Sequence, residues 1–373
     1  MSININPAVA SMLFANTSNT AGSIDFSFLT QSSSGTAASA NVGSVKSALV
    51  NAEKNELRQL ALTAKDPQIQ KDLARYEKVV KNAKSIDDVL NDPVARKVLM
   101  TANGLKSDVD NIALSKKAMM SDPNDAKSVA RRMSGINGAW LDFAKSYNLA
   151  EYGLDTLSPQ QDGVAGRWKI QFERAGEPIE AMLEITKVRG GGYQATIDGV
   201  VTPVIVDANN NITLNSLWRD AADELRTSSF TGKLTKDGLS GTFTNDGETA
   251  SAEWKAPAYF ANALQTVRDN YIGEKRLDML DAQMPGLGSA VLFKQSAKNM
   301  KDAVDILGSP LGREVVTTAF NIPKQIAVQS MAAQQKAITQ RMDPAKLQND
   351  HFVDQIAQRY LIMLNGGTGG VTA

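Results

Sequence analysis

Glu180 and Glu184 are the pair of carboxylates that an acid–base reading of this chain would start from. Glycosidic chemistry needs two such groups across a cleft, one of them desolvated. Here both alternate with Ile179, Ala181, Leu183 and Ile185, so the spacing predicts the solvated face of a strand. Arg189-Gly190-Gly191-Gly192 has the composition of a phosphate-cradling loop, but such loops follow a strand and open a helix. Tyr193, Ala195 and Ile197 alternate instead, which predicts a hairpin. His351 is the one histidine of 373 residues, so a Ser–His site or a histidine–metal site would rest on it, with Asp350 and Asp354 nearby. Cysteine is absent, which excludes disulfides, Fe–S clusters, thiolate zinc and a cysteine nucleophile. The expectation is a protein that is not an enzyme, with no cofactor and no metal.

Composition bounds the partners. Forty basic and forty acidic side chains cancel, so no net field attracts nucleic acid or an anionic membrane. No run approaches the roughly 18 apolar residues of a membrane span, so no membrane insertion is expected. Residues 1–45 hold no Lys or Arg and a single acid, Asp25, among many Ser, Thr, Ala, Asn and Gly. A secretory signal needs a basic start and a continuous apolar stretch, and this segment has neither. It reads as disordered by itself, with Met12, Leu13, Phe14, Phe26 and Phe28 as apolar anchors for a partner.

The elements that position these residues fall into three blocks. Residues 44–158 read as helical. Asp92-Pro93, Asp122-Pro123, Ser309-Pro310 and Asp343-Pro344 each set a capping side chain before a proline at the first helical position, predicting helix starts near 93, 123, 310 and 344. Ser85 with Asp88 has the spacing of a weaker capping box, and Gly104 is placed to end the helix begun at Pro93. Residues 163–257 change to period two: Trp168, Ile170, Phe172; Phe230, Gly232, Leu234; Leu239, Gly241, Phe243; Ala250, Ala252, Trp254. Turn signals such as Asp198-Gly199, Asn209-Asn210-Asn211, Asp237-Gly238 and Asp246-Gly247 separate them, which predicts six to eight antiparallel strands in a small barrel or sandwich. Residues 258–366 are helical again: a long helix from Phe260 through Tyr271, one near 324–341, and a last one near 351–364. Residues 367–373 form a flexible tail.

The helical blocks share a duplicated segment. Asn82–Leu105 and Asn299–Ile322, 217 residues apart, are identical at nine positions, including Asp88/Asp305, Leu90/Leu307, Pro93/Pro310 and Arg96/Arg313. Two copies of one helical unit are implied. The predicted class is α+β multidomain, with two similar multihelical units flanking an inserted antiparallel β-barrel or sandwich domain.

Ser85-Ile86-Asp87-Asp88-Val89-Leu90, the proline helix start after it, Thr101-Ala102-Asn103-Gly104-Leu105, the later Asp-Pro starts and Phe352-Val353 leading to Arg359-Tyr360-Leu361 carry a resemblance. Over residues 50–155 and 266–364 the chain resembles an alphaproteobacterial family of unassigned molecular function, commonly encoded among flagellar genes. That resemblance implies a non-enzymatic flagellar structural or assembly protein. It also implies export through the flagellar apparatus without a cleaved signal, with flagellar proteins or further copies of itself as partners. Freedom from cysteine, an uncleaved Ser/Asn/Ala-rich start and a β-domain inserted between helical ends are similar to exported flagellar axial proteins. Phe352, Ile356, Tyr360 and Leu364 join the N-terminal anchors as expected partner-facing residues. Two alternatives stand. One is a cytoplasmic flagellar assembly factor or chaperone. The other follows from Gly166-Arg167-Trp168, which resembles the Gly-x-Trp of lipocalin-type barrels and implies a small apolar ligand in a β-cup.

Overall fold

The computed structural model describes residues 42–366, except 175, 189–190, 220–221 and 247–250. The N-terminal anchors Met12, Leu13, Phe14, Phe26 and Phe28, the tail 367–373, Ala250 and part of the Arg189 to Gly192 and Asp246-Gly247 turns lie outside the described residues. Among the described residues nine helices precede the sheet: α1 (Val42–Lys54), α2 (Glu56–Ala64), α3 (Pro67–Asn82), α4 (Ile86–Asn91), α5 (Pro93–Ala102), α6 (Ile112–Met119), α7 (Val129–Ser134), α8 (Ala139–Tyr147) and α9 (Leu149–Tyr152). Strands β1 (Gly166–Arg174), β2 (Glu177–Lys187), β3 (Tyr193–Ile197), β4 (Val200–Thr202), β5 (Val204–Val206), β6 (Asn211–Arg219), β7 (Leu225–Thr235), β8 (Gly238–Asn245) and β9 (Ala252–Ala256) follow. Then come α10 (Ala263–Gln283), α11 (Leu287–Ser296), α12 (Ala303–Gly308), α13 (Pro310–Ala319), α14 (Met331–Thr339) and α15 (Asp350–Leu364). The fold is α+β, with the antiparallel sheet flanked in the chain by helices.

Contacts divide the chain into two compact units. Among the described residues the first takes 42–76, 90–148 and 267–366; the second takes 77–89 and 149–266. Most of both helical blocks therefore belongs to one unit. Their junction is built on α10. Val45, Leu49 and Ala52, spaced along one face of α1, share a core with Leu277, Leu280, Phe293, Val315 and Tyr360. Within the same unit the buried Arg276 guanidinium donates to Ala52 O (2.6 Å), Gln59 Oε1 (2.9 Å) and Glu56 Oε1 (3.0 Å). Tyr271 Oη donates to Asp72 Oδ2 at 2.7 Å.

The duplicated segment repeats its hydrogen bonds as well as its letters. In the first copy, Asp88 Oδ2 accepts from Lys84 N (2.8 Å) and Ser85 N (3.0 Å); in the second, Asp305 Oδ2 accepts from Lys301 N (2.9 Å). Arg96 Nη1 donates to Leu90 O at 2.5 Å, and Arg313 Nη1 to Leu307 O at 2.7 Å, so each arginine clasps the elbow between the two short helices. Asp92 caps α5 through Val94 N and Ala95 N, and Ser309 caps α13 through Gly312 N. Both copies end alike: Leu105 N donates to Met100 O at 2.9 Å and Ile322 N to Thr317 O at 2.8 Å. The preceding residue is left-handed in each, Gly104 at φ 71° and Asn321 at φ 49°. Replacing Arg96 or Arg313 by Met is expected to cost about 1–2 kcal/mol each in denaturant unfolding, since each loses its part-buried bond to the elbow carbonyl and Arg313 also a longer one to Ile136 O. A cost for one and none for the other would break the equivalence of the copies.

Two proline signals resolve differently from the sequence expectation. Asp122 Oδ1 accepts from Asn124 N at 2.8 Å, so Asp122-Pro123 makes a turn, and the helix starts later at Val129 with Ser128 as its cap. The polar stretch Asn124-Asp125-Ala126-Lys127 offers little apolar surface to hold a helix, and aspartates favour such turns. Asp343 does cap Pro344, but of a single 3-10 turn, Pro344–Gln348. The helix expected over 324–341 divides into a 3-10 turn, Lys324–Val328, and α14 capped by Ser330.

In the second unit the strands run as a meander in the order β4-β3-β2-β1-β9-β8-β7-β6-β5. β4 and β5 are halves of one strand bent at Pro203, whose missing N–H tolerates the break. β4 pairs with β3 and β5 with β6, while Asn215 N donates to Pro203 O at 3.3 Å and Thr202 Oγ1 to Asn215 O. The sheet therefore nearly closes, a barrel rather than a sandwich. The predicted inward residues Trp168, Ile170, Leu183, Ile185, Ala195, Phe230, Leu239, Phe243 and Trp254 form its core, joined by Ile212, Leu214 and Ala256. Ala252, expected inward, is exposed at the start of β9. β4 to β6 escaped the alternation because apolar residues stand on their outer face too: Val201 is 66% and Ile205 70% exposed.

Candidate functional site

Within the first unit, an open groove of about 1090 Å³ is built from the duplicated segment. Gly104 and Lys106, at the end of the first copy, form one side, and Met300, Val304, Pro310 and Leu311 of the second copy form another. Ile136 to Ala139 and Glu274 of α10 complete it. Arg313, already holding its own elbow, also donates Nη2 to Ile136 O at 3.3 Å and so ties two walls together. Asn137 does the same for a third, donating Nδ2 to Gly104 O at 3.2 Å. The walls stay apolar at the rim: Ile136 is 63% and Val304 50% exposed.

The charge in the groove is mainly negative. Asp108, Asp142, Glu274 and Asp305 line it with Lys106 and Arg313. Lys106 is already committed to Asp278, which Lys275 Nζ also holds at 2.9 Å. Glu274 differs from its neighbours, because no described residue hydrogen-bonds to its carboxylate. Removal from water raises its pKa to about 7, the Asp278 charge adds to the rise, and Lys106 and Lys275 oppose it. Asp278 itself titrates below the usual carboxylate range: burial works against this, but the bonds from Lys106 and Lys275 prevail.

A raised folded-state pKa means that Glu274 supports folding most fully below about pH 4.5. That contribution is lost as pH rises through about 7. Glu274→Gln is therefore expected to match the wild type in Tm at pH 5 and to exceed it at pH 8. The stability difference should be about 2 kcal/mol, allowing for solvent at the groove. A gap that does not change between pH 5 and pH 8 in paired thermal melts would refute the assignment.

The sequence candidates are placed as follows. Glu180 bonds to Gln171 Nε2 (2.6 Å) and Lys169 Nζ (2.7 Å), and Glu184 reaches Arg167 Nη2 (3.2 Å), all on the outer face of the barrel. His351 is exposed in the first turn of α15, and Lys298 Nζ holds neighbouring Asp350 at 2.8 Å. Val188 N donates to Gly192 O at 3.2 Å, so the glycine run links β2 to β3. Among the described residues no group of three or more His, Cys, Asp or Glu is placed to hold a metal ion. No helix among them is long and apolar enough to cross a membrane. Two expected partner-facing residues need correction: Ile356 and Tyr360 lie in the core, and Tyr360 Oη donates to Glu314 Oε1 at 2.6 Å. The stripe they form faces α13 and α11 because a helix with one apolar face buries it against its own unit first. Phe352 is half-buried against the same core, and Leu364, 44% exposed, remains available at the end of α15. Glu274 and Lys106 carried no sequence signal. Arg313 did, as an arginine repeated in both copies.

A family model matches just under half of the chain. Residues 102–171 and 239–353 correspond to the family described as protein of unknown function DUF1217. The matched residues include Lys106, Ile136, Glu274 and Arg313, and leave out residues 172–238 of the barrel. No curated protein matches the chain. Among solved structures it is similar to the protein AGR_C_984 of Agrobacterium tumefaciens, at 15% identity and a TM-score of 0.48, over 88% of this chain and 96% of that one.

Proposed function

We propose that this chain is a non-enzymatic bacterial flagellar structural or assembly protein, exported through the flagellar apparatus, that acts by seating a segment of another protein in the groove between its duplicated motifs. The groove carries the reading: it is open, walled by exposed Ile136 and Val304, and lined by four carboxylates against two cations, Lys106 and Arg313, both already engaged. An apolar cleft with a negative floor suits a segment that presents aliphatic side chains beside a basic one. Flagellar context and export rest on the family resemblance carried by the duplicated segment and on the Ser/Asn/Ala-rich N-terminus. Deletion of the gene is expected to impair swimming, and a tagged copy is expected in sheared flagella. Removal of residues 1–40 should keep the protein inside the cell. Normal swimming without the gene, or undiminished export without residues 1–40, would sink the proposal. Full retention of the intact protein in the cell fraction would favour the assembly-factor reading instead.

A further inference from the structure

The inward face of β1 continues past Trp168, Ile170 and Phe172 to a charged residue, Arg174, at the end of the strand. Trp218 extends the inward face of β6 in the same way beyond Ile212 and Leu214. The two meet: the guanidinium carbon of Arg174 lies 4.0 Å from the Trp218 ring centroid and 5.0 Å from that of Phe172. The guanidinium rests on these two rings and is partly withdrawn from water, which lowers the pKa of Arg174, with no carboxylate contributing.

Its hydrogen bonds do not make up the loss. Nη2 donates to Ser228 Oγ at a long 3.3 Å, and Ser228 spends its own proton on Asn245 Oδ1 at 2.6 Å. Among the described residues the Arg174 Nε–H and the Trp218 Nε1–H, both shielded from solvent, have no acceptor. Arg226, opposite Trp218 in the β6–β7 register, is paired with Glu224 at 2.6 Å and so does not share this role. Leaving shielded donors unmet costs more than filling the place with hydrocarbon, as most of the barrel is filled. Two donors with no acceptor among the described residues, on a cation with no carboxylate partner and the indole against it, gather at one end of the barrel beside the buried pair Ser228 and Asn245.

We propose that Arg174 and Trp218 form an anion site at the end of the barrel that takes the carboxylate of a small amphiphilic acid. One cation balances one negative charge, which favours a monocarboxylate over a phosphate dianion, and the planar fork of arginine matches a carboxylate's two oxygens. The ring faces of Phe172 and Trp218 beside it favour an acid with an apolar body. This site belongs to the second unit and stands whether or not the groove of the first unit binds protein.

The test uses the full chain and sodium octanoate, followed through the indole N–H signals of the four tryptophans by NMR. Octanoate is expected to shift the Trp218 signal saturably and to leave Trp140 and Trp168 in place. Octanol, with no charge, and acetate, with no tail, should each bind at least about tenfold more weakly, the loss of about 1.4 kcal/mol. Arg174→Met should weaken octanoate by at least about tenfold while the fold persists, since the change leaves no carboxylate unpaired. Trp218→Phe keeps the ring, removes one donor and should weaken binding while the fold persists. Equal affinity for octanoate in Arg174→Met, equal binding of octanol, or no Trp218 shift would overturn the proposal. Loss of folding in both variants would assign the pair to structure alone.

Discussion

Gly241→Ala is expected to disrupt the β-barrel while leaving the helical unit folded. Gly241 on β8 lies between Gly232 on β7 and Trp254 on β9 in the strand register. A Cβ at Gly241 would stand 1.9 Å from Thr231 O and 2.5 Å from the Gly232 Cα, both backbone atoms that cannot rotate away. The paired glycines make room for the Trp254 indole, which lies in the aromatic core with Phe230 and donates Nε1–H to Thr231 O at 3.0 Å. One added methyl therefore spreads β7 from β8 and moves Thr231 O, the acceptor that holds the indole N–H. A cost of about 3 kcal/mol or more is expected, at the upper end for overpacking. Near-UV circular dichroism should lose the contribution of the barrel tryptophans and keep that of Trp140, and hydrogen exchange should accelerate across β7 to β9. An unchanged thermal midpoint would mean that the sheet is looser here than its register indicates.

Arg276→Met is expected to destabilise the helical unit by about 3 kcal/mol, since three hydrogen bonds are lost at once and an ion pair is broken from its buried side. Glu56, the carboxylate left behind, is partly exposed and regains water, which keeps the cost below that of a fully enclosed pair. The effect should concentrate where the bonds end. Exchange protection should fall in α1 and α2 before α11 to α15, because Ala52, Glu56 and Gln59 all lie there. Arg276→Lys, which can reach only one of the three acceptors, should recover a minor part of the loss. Uniform loss of protection across the whole unit would show that Arg276 is not the local tie described here.

These two sites show unequal legibility. Gly232 and Gly241 were visible in the sequence as small residues at inward positions of alternating strands, but their reason, the Trp254 indole across them, required β8 and β9 to be paired. Arg276 was not legible at all. It lies on a helix whose apolar period is weak, and its partners stand more than two hundred residues away. The same division holds for the Asp-Pro signals. Asp92-Pro93 opened a helix because apolar residues follow it, whereas Asp122-Pro123 did not, because Asn124 to Lys127 offer little surface to bury. The terminal stripe Ile356–Tyr360 was correctly apolar, yet an apolar stripe names no partner, and its own core claimed it.

The amino-acid order by itself determined the helical and β classes, the duplication of Asn82–Leu105, the elbow caps and most of the inward face of the barrel. Each of these is set by hydrogen bonds within about four residues or by a period of two, and such patterns are written along the chain. Only the tertiary structure decided that helices on both sides of the β-domain share one unit, that Glu274 stands without a hydrogen bond among the described residues in a groove, and that Arg174 meets Trp218. Those outcomes depend on which surfaces meet after the local elements have formed. Desolvation of a charge is a property of that meeting, not of the residue that carries it.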